Sequence, residues 1–394
     1  MNAPAIARRE SHTRLALALA AVFVVAMGYG MVLPVLPFLL ARVLGAAASE
    51  AIAWHTGLLT GVYMLALFLF APLWGRVSDR AGRRTVILLG LAGFSGAIGA
   101  FALASNLMLA YTLRLLAGLF AAAIVPVIFA WIGDEQAPEE RARSFAWLYA
   151  ANALGFLFGP ALSGWLTFAD APALPFYTVA TLSGMLWLAV YRWLPESRVR
   201  SSEVTPETKA PSLVGLLALS LLAMLGLGSF EVALALQGRQ VLNLGPREIG
   251  WMFAECSLVM ILVQTSALAP LIRRRGANRL LAPGLLAMAA GVGLLPYAAD
   301  YPLVLLAVAL FAAASGLLIP ALAYLVSLAA GAAQGAALGR QTAAASLGQA
   351  AGSAAAGWLF TLSVGAPFWV TAGFLGLGVL AVRRVPTPDS GGEP

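Results

Sequence analysis

The chain has 394 residues, 61% of them hydrophobic and 10% charged, with a formal net charge of +7. A mean hydropathy of +0.88 leaves too little polar surface to solvate a globule, which excludes a soluble domain and implies an integral membrane protein. The single cysteine, Cys256, excludes an internal disulfide framework, and the basic residues gather at helix ends rather than in a stripe, so their excess is assigned to membrane topology and not to nucleic acid.

Met1 to Thr13 is short and basic, and the apolar run behind it, Leu15 to Ala41, is too long for a signal-peptide core, so it is expected to be retained as the first span. Apolar runs predict helices near 15–40, 52–74, 85–105, 107–132, 144–167, 174–194, 212–236, 249–272, 280–298, 302–327, 341–362 and 366–382. That makes an all-α membrane protein of twelve transmembrane helices. With both termini cytoplasmic, Arg42, Arg239 and Arg247 fall in outer loops and Arg114 inside a span, while the other 20 of the 24 Lys and Arg are cytoplasmic. The bias supports that orientation, in the bacterial inner membrane.

Glu196 to Ala210 is polar and carries no apolar run, and it reads as a linker between six-helix halves: 1–195, then 196–211, then 212–394. An internal repeat supports the division. Gly155-Phe-Leu-Phe-Gly159-Pro160-Ala-Leu-Ser-Gly164-Trp165-Leu166 matches Gly348-Gln-Ala-Ala-Gly352-Ser353-Ala-Ala-Ala-Gly357-Trp358-Leu359 at a constant offset of 193, and Ala71-Pro72-Leu73 recurs as Ala269-Pro270-Leu271.

Between the second and third spans, Gly75-Arg-Val-Ser-Asp79-Arg-Ala-Gly82-Arg83-Arg84 packs four arginines and one aspartate into what reads as a tight cytoplasmic turn. Glycine permits the turn, and Asp79 can accept from a helix N-terminus. This stretch resembles the loop after the second helix of the major facilitator superfamily, Gly-x-Leu-Ala-Asp-Arg-x-Gly-Arg-Lys, with Val77 and Ser78 departing. The resemblance implies the major facilitator fold, two pseudo-symmetric six-helix halves, and alternating access. The loop is expected to lock the cytoplasmic side in the outward-open state, Asp79 meeting the start of the eleventh helix near Arg340 and Gln341, whose exposed amides favour an anion, while Arg83 pairs with Asp134 or Glu135. The second half keeps only Arg273-Arg-Arg-Gly276-Ala-Asn-Arg279, without the aspartate.

In the fifth span, Gly155-x-x-x-Gly159-Pro160-x-x-x-Gly164 is similar to the signature of the antiporter branch of that superfamily, with Ser163 for one glycine. Small residues four apart allow close helix contact, and Pro160 permits a kink. Arg114 opens a stretch similar to the family's Arg-x-x-Gln-Gly motif, with Ala117 for the glutamine; the resemblance implies a part in proton coupling, and snorkelling is the structural alternative. The first span ends Gly28-Tyr29-Gly30-Met-Val-Leu-Pro34-Val-Leu-Pro37, which resembles another family motif but carries no acidic residue.

Two carboxylates remain inside spans, Glu231 in the seventh and Glu255 in the eighth. Low dielectric favours the neutral form of a carboxyl, as a proton carrier requires. Glu231 follows Gly228-Ser229-Phe230, which suits a binding cavity, and is the first candidate. It is expected to lie at a depth comparable to Arg114 and to pair with it when the outer side closes. Candidate cavity residues are Tyr29, Tyr63, Phe120, Asn152, Phe230 and Tyr324. His12 sits in the basic tail and His55 near an interface. The sequence shows no metal-ligand cluster, phosphate-cradling loop or nucleophile triad, so no cofactor and no ATP-driven pumping is expected. The expected function is a monomeric proton-coupled antiporter that exports small amphipathic compounds; the alternatives are a metabolite uptake or symport protein and a non-transporting membrane sensor.

Overall fold

The computed structural model describes residues 3–45, 47–136, 138–167, 173–196, 211–298, 300–330 and 334–382. The described residues form helices α1 (Ala3–Leu44), α2 (Ser49–Ala81), α3 (Arg83–Phe101), α4 (Leu107–Ala122), α5 (Val125–Glu135), α6 (Pro138–Leu166) and α7 (Leu174–Trp193). After the linker come α8 (Pro211–Gln240), α9 (Pro246–Ser266), α10 (Leu268–Arg275), α11 (Asn278–Leu294), α12 (Tyr301–Ala330), α13 (Gln334–Leu362) and α14 (Ala366–Val382). Among them, ten helical runs are long and apolar enough to cross a membrane. Two more complete the twelve: α14 is apolar but has 17 residues, and α13 is long but diluted by Gly, Ala, Gln and Ser.

Two spans are each built from two helices. The fourth span breaks between α4 and α5, just before Pro126, where Ala123 and Ile124 donate to carbonyls only three residues back, Phe120 and Ala121. Proline has no N–H to continue the ladder and crowds the carbonyl four residues before it. The eighth span breaks at Ala267, ahead of Pro270, for the same reason.

The chain packs as two compact units. One comprises 1–35 and 66–202, the other 36–65 and 203–394. In the second unit, the hairpin made by the end of α1 and the start of α2 lies on α8 and α13. Ala53 joins Val232, Leu236, Ala356 and Phe360 in one buried cluster, Gln240 Nε2 donates to Ser49 O at 3.2 Å, and Arg239 sits over the Phe38 ring at 5.4 Å.

Candidate functional site

Each unit contains a close helix pair in which two glycines meet the partner's backbone, and the two pairs repeat the same contacts. In the first unit, a β-carbon at Gly155 of α6 would fall 2.5 Å from Phe23 O of α1, and one at Gly159 would strike Met27 O. In the second unit, a β-carbon at Gly348 of α13 would strike Leu221 O of α8, and one at Gly352 would strike Leu225 O. The offset is 193 for the glycine helix and 198 for its partner. The glycine pair of the fifth-span motif therefore serves a backbone-to-backbone joint that both units possess.

What sits in the joint differs between the units. Pro160 packs on Gly30, where a β-carbon would lie 3.0 Å from its Cδ. At the matching positions of the second unit, Ser353 Oγ donates to Gly228 O at 3.3 Å. One turn on, the second joint holds Glu231, only 5% exposed, and Gln349 Nε2 donates to its Oε2 at 2.9 Å. The same offsets place Leu33 and Phe156 at the equivalent positions of the first joint. There Phe156 makes an edge contact with Tyr29, ring centroids 5.5 Å apart. Ser229 and Thr371 of α14 share a hydrogen bond of 2.6 Å that holds the next helix to the pair. A carboxylate and an amide thus replace an apolar pair in one joint only, in a setting where an unmatched polar group would cost several kcal/mol.

Glu255 lies on α9 and is half-buried, and Oε2 has no hydrogen-bond partner among the described residues. Both Glu255 and Glu231 lie within electrostatic reach of the buried Cys256 thiol. Arg114 is 1% exposed and holds its guanidinium over the ring of Phe101, the last residue of α3, at 5.8 Å. Of the candidate cavity residues, Tyr29 and Tyr63 are buried, Phe120 and Asn152 are half-buried, and Tyr324 is 45% exposed. Phe230 is fully buried and stacked on Phe311 at 4.0 Å, and the Phe120 ring covers Gly93.

The turn after α2 is less open than its composition suggests. Gly75 to Ala81 continues the helix, and Gly82 alone turns the chain, with φ +93°. That conformation is strained for any residue with a β-carbon. Arg83 is the hub: Nη1 lies 2.6 Å from Asp79 Oδ1 and donates to Ser78 Oγ at 2.6 Å, while Nε donates to Asp134 Oδ2 at 3.0 Å. Ser78 is fully buried and passes its own hydrogen to Gly75 O, so this departure from the family pattern adds an acceptor that alanine lacks. Asp79 keeps 52% of its side chain exposed. Arg340 is half-buried near the start of α13.

Gln349, Ser353, Ser78 and Glu196 are absent from the sequence-based candidates. Glu196 follows α7 and caps α3: Oε1 accepts from the Arg84 N–H at 3.0 Å, and the carboxylate fills the space that a β-carbon on Gly82 would take. The Arg84 side chain returns the contact by donating to Tyr191 O and lying over the Tyr191 ring. Glu196→Ala is expected to lower the melting temperature by about 2–4 °C, the effect of losing a cap worth about 1 kcal/mol. Glu196→Gln, which keeps an acceptor, should recover part of it; no change in a thermal melt of Glu196→Ala would show that the cap is idle.

Comparison with known proteins agrees with this architecture. The family model described as Major Facilitator Superfamily matches residues 18–236 and 216–394. The chain is 37% identical over 210 residues to the class B tetracycline resistance protein of Escherichia coli, a match covering 52% of this chain and 50% of that protein. The chain therefore spans about half the length of that relative. It is 27% identical over 398 residues to multidrug resistance protein 2 of Bacillus subtilis, covering 97% of this chain and 98% of the relative. The crystal structure of the human organic anion transporter MFSD10 shares the fold, with a TM-score of 0.71 at 21% identity over 94% of this chain and 99% of that one. The two matched ranges together cover nearly the whole chain, and the chain belongs to the Major Facilitator Superfamily.

Proposed function

We propose that the protein is a proton-coupled antiporter that exports small amphipathic organic molecules by alternating access between two duplicated six-helix halves, 1–195 and 212–394, and that Glu231 carries the proton. The observation that carries this reading is the Glu231–Gln349 pair, a buried ionisable group set in a helix joint whose counterpart holds Leu33 and Phe156. A carboxylate kept at such a cost inside a membrane protein is retained for its titration. Arg114 shares the coupling, as the only basic residue placed inside a span by the sequence. The names of the tetracycline and multidrug resistance relatives support export of drug-like compounds. The protein acts as a monomer in the bacterial inner membrane with both termini cytoplasmic, in keeping with the distribution of its arginines and lysines.

Inverted membrane vesicles test the reading. An imposed proton gradient, acid inside, is expected to drive a tetracycline or a cationic dye into the lumen with counterflow of protons. Movement in the opposite direction would make the protein a symporter, and ligand binding without flux would make it a sensor.

Asp79 serves as the latch of the turn. Its half-exposed carboxylate is shared with Arg83 alone among the described residues, so it remains available to a second partner in another state. Asp79→Asn is expected to shift the population toward the inward-open form by about tenfold, the effect of losing one charge-assisted bond worth about 1.5 kcal/mol. Spin-label distances between the cytoplasmic ends of the helices check this, and distributions identical to wild type would end the latch proposal.

A further inference from the structure

We propose that Arg273, Arg274, Arg275 and Arg279 form a binding site for the headgroup of an anionic phospholipid, at the turn between α10 and α11. The two units treat their equivalent turns differently. In the first, Gly82 has φ +93°, Arg83 is matched by Asp79 and Asp134, and Glu196 caps the helix that follows. In the second, Gly276 has φ +78°, but the residue three positions before it is Arg273 rather than an aspartate, and among the described residues no side chain caps α11. Between Glu255 and Pro388 the chain has one acidic residue, Asp300, and it lies at the opposite end of α11. All four arginines are exposed, and none makes a hydrogen bond or ion pair with a described residue.

An apolar track leads to this charge. Beyond Trp251, the exposed positions are Leu258, Leu262 and the adjacent Thr265 and Ser266 on α9, then Ala269 and Arg273 to Arg275 on α10, past the break at Ala267. Thr265 and Ser266 turn their hydroxyls back to the carbonyls of Ile261 and Leu262, so they do not interrupt it with unmet donors. From Leu262 to Arg273 the helical rise is about 16 Å, close to the hydrocarbon depth of one leaflet. Acyl chains lie along the leucines while the phosphate meets the arginines, whose forked donors match its oxygens. The track is what commits the site to a lipid rather than to free phosphate.

The test uses the full chain in nanodiscs of mixed phosphatidylcholine and phosphatidylglycerol, with the lipid that stays bound counted by native mass spectrometry. Wild type is expected to retain phosphatidylglycerol selectively, less so at high salt. Each arginine near an anionic surface contributes about fivefold, so R273Q/R274Q/R275Q should lose at least about tenfold of that selectivity. R42Q/R247Q, which removes charge at the other end of the spans, should keep it; the single variant R274Q gives a smaller loss if the triple variant folds poorly. Equal retention by wild type and the triple variant would overturn the proposal. So would displacement of the lipid by inorganic phosphate, or selectivity that emerges only when residues 383–394 are removed, which would give the arginines to Asp389 and Glu393. None of these outcomes depends on the direction of transport or on Glu231.

Discussion

Glu231→Gln is expected to abolish proton-driven efflux, by about two orders of magnitude or more, while substrate still binds. The amide has the shape of the protonated carboxyl and can still accept from Gln349, so the joint between α8 and α13 should keep its packing. What it loses is the ability to exist in two charge states, and with it the free-energy difference by which proton binding biases one conformation over the other. The variant should therefore pass a ligand-dependent thermal shift and perform substrate counterflow, yet fail in vesicles energised by a proton gradient. Efflux at the wild-type rate under that gradient would remove Glu231 from the mechanism and turn attention to Glu255, which shares its field on Cys256.

Gly352→Val should do the greatest damage to the fold itself. A β-carbon at Gly352 strikes Leu225 O, and nearby Gly348 has the same relation to Leu221 O, so two added methyl groups would have to separate α13 from α8 along a whole turn. Overpacking costs about 1–3 kcal/mol when side chains can adjust, and here the obstacle is backbone. A fall in melting temperature of about 10 °C is expected, at about 2–4 °C per kcal/mol, together with loss of the Glu231–Gln349 hydrogen bond. Gly373→Ala is the matched contrast. A β-carbon there meets nothing within 4 Å, and a helical alanine in place of glycine adds about 0.5–1 kcal/mol of stability. Equal melting of the two variants would show that the joint is looser than its geometry.

Much of the fold was legible because bilayers impose long apolar runs and sort arginines to one side; the twelve spans come from those two rules, and the turn after the second came from its glycines and the family pattern. The breaks at Ala123 and Ala267 were not anticipated, since the spans 107–132 and 249–272 were read as unbroken helices and an apolar run conceals whether Pro126 or Pro270 kinks a helix or ends it. The joints were only half visible. Their glycine helix repeats at an offset of 193, yet the partner helix, Phe23 and Met27 against Leu221 and Leu225, has no motif, since a residue that gives only its carbonyl leaves no trace in side-chain pattern. Gln349 was missed for a related reason. A neutral amide among alanines and glycines carries no signal until the carboxylate it touches, 118 residues away, is brought beside it. Glu196 looked like the first residue of a polar linker because a cap supplied from 112 residues away cannot be read from local sequence. Asp79, Arg83 and Asp134 were named from a resemblance, and side-chain charge alone would not have chosen among their neighbours.

The presence of a carboxylate in one joint and not the other has an energetic reading. On the proposal that Glu231 alone carries the proton, with Leu33 where a second Glu231 would stand, the exchange couples one proton per turnover. For a neutral substrate, one elementary charge falling through 100 mV releases about 2.3 kcal/mol, enough to hold a concentration ratio of about fiftyfold. For a substrate with a single positive charge the exchange is electrically silent, the membrane voltage drops out, and the gradient follows the pH difference at tenfold per unit. A lone acid thus makes such a pump a strong exporter of neutral compounds in energised cells and a weaker one for cations near neutral external pH.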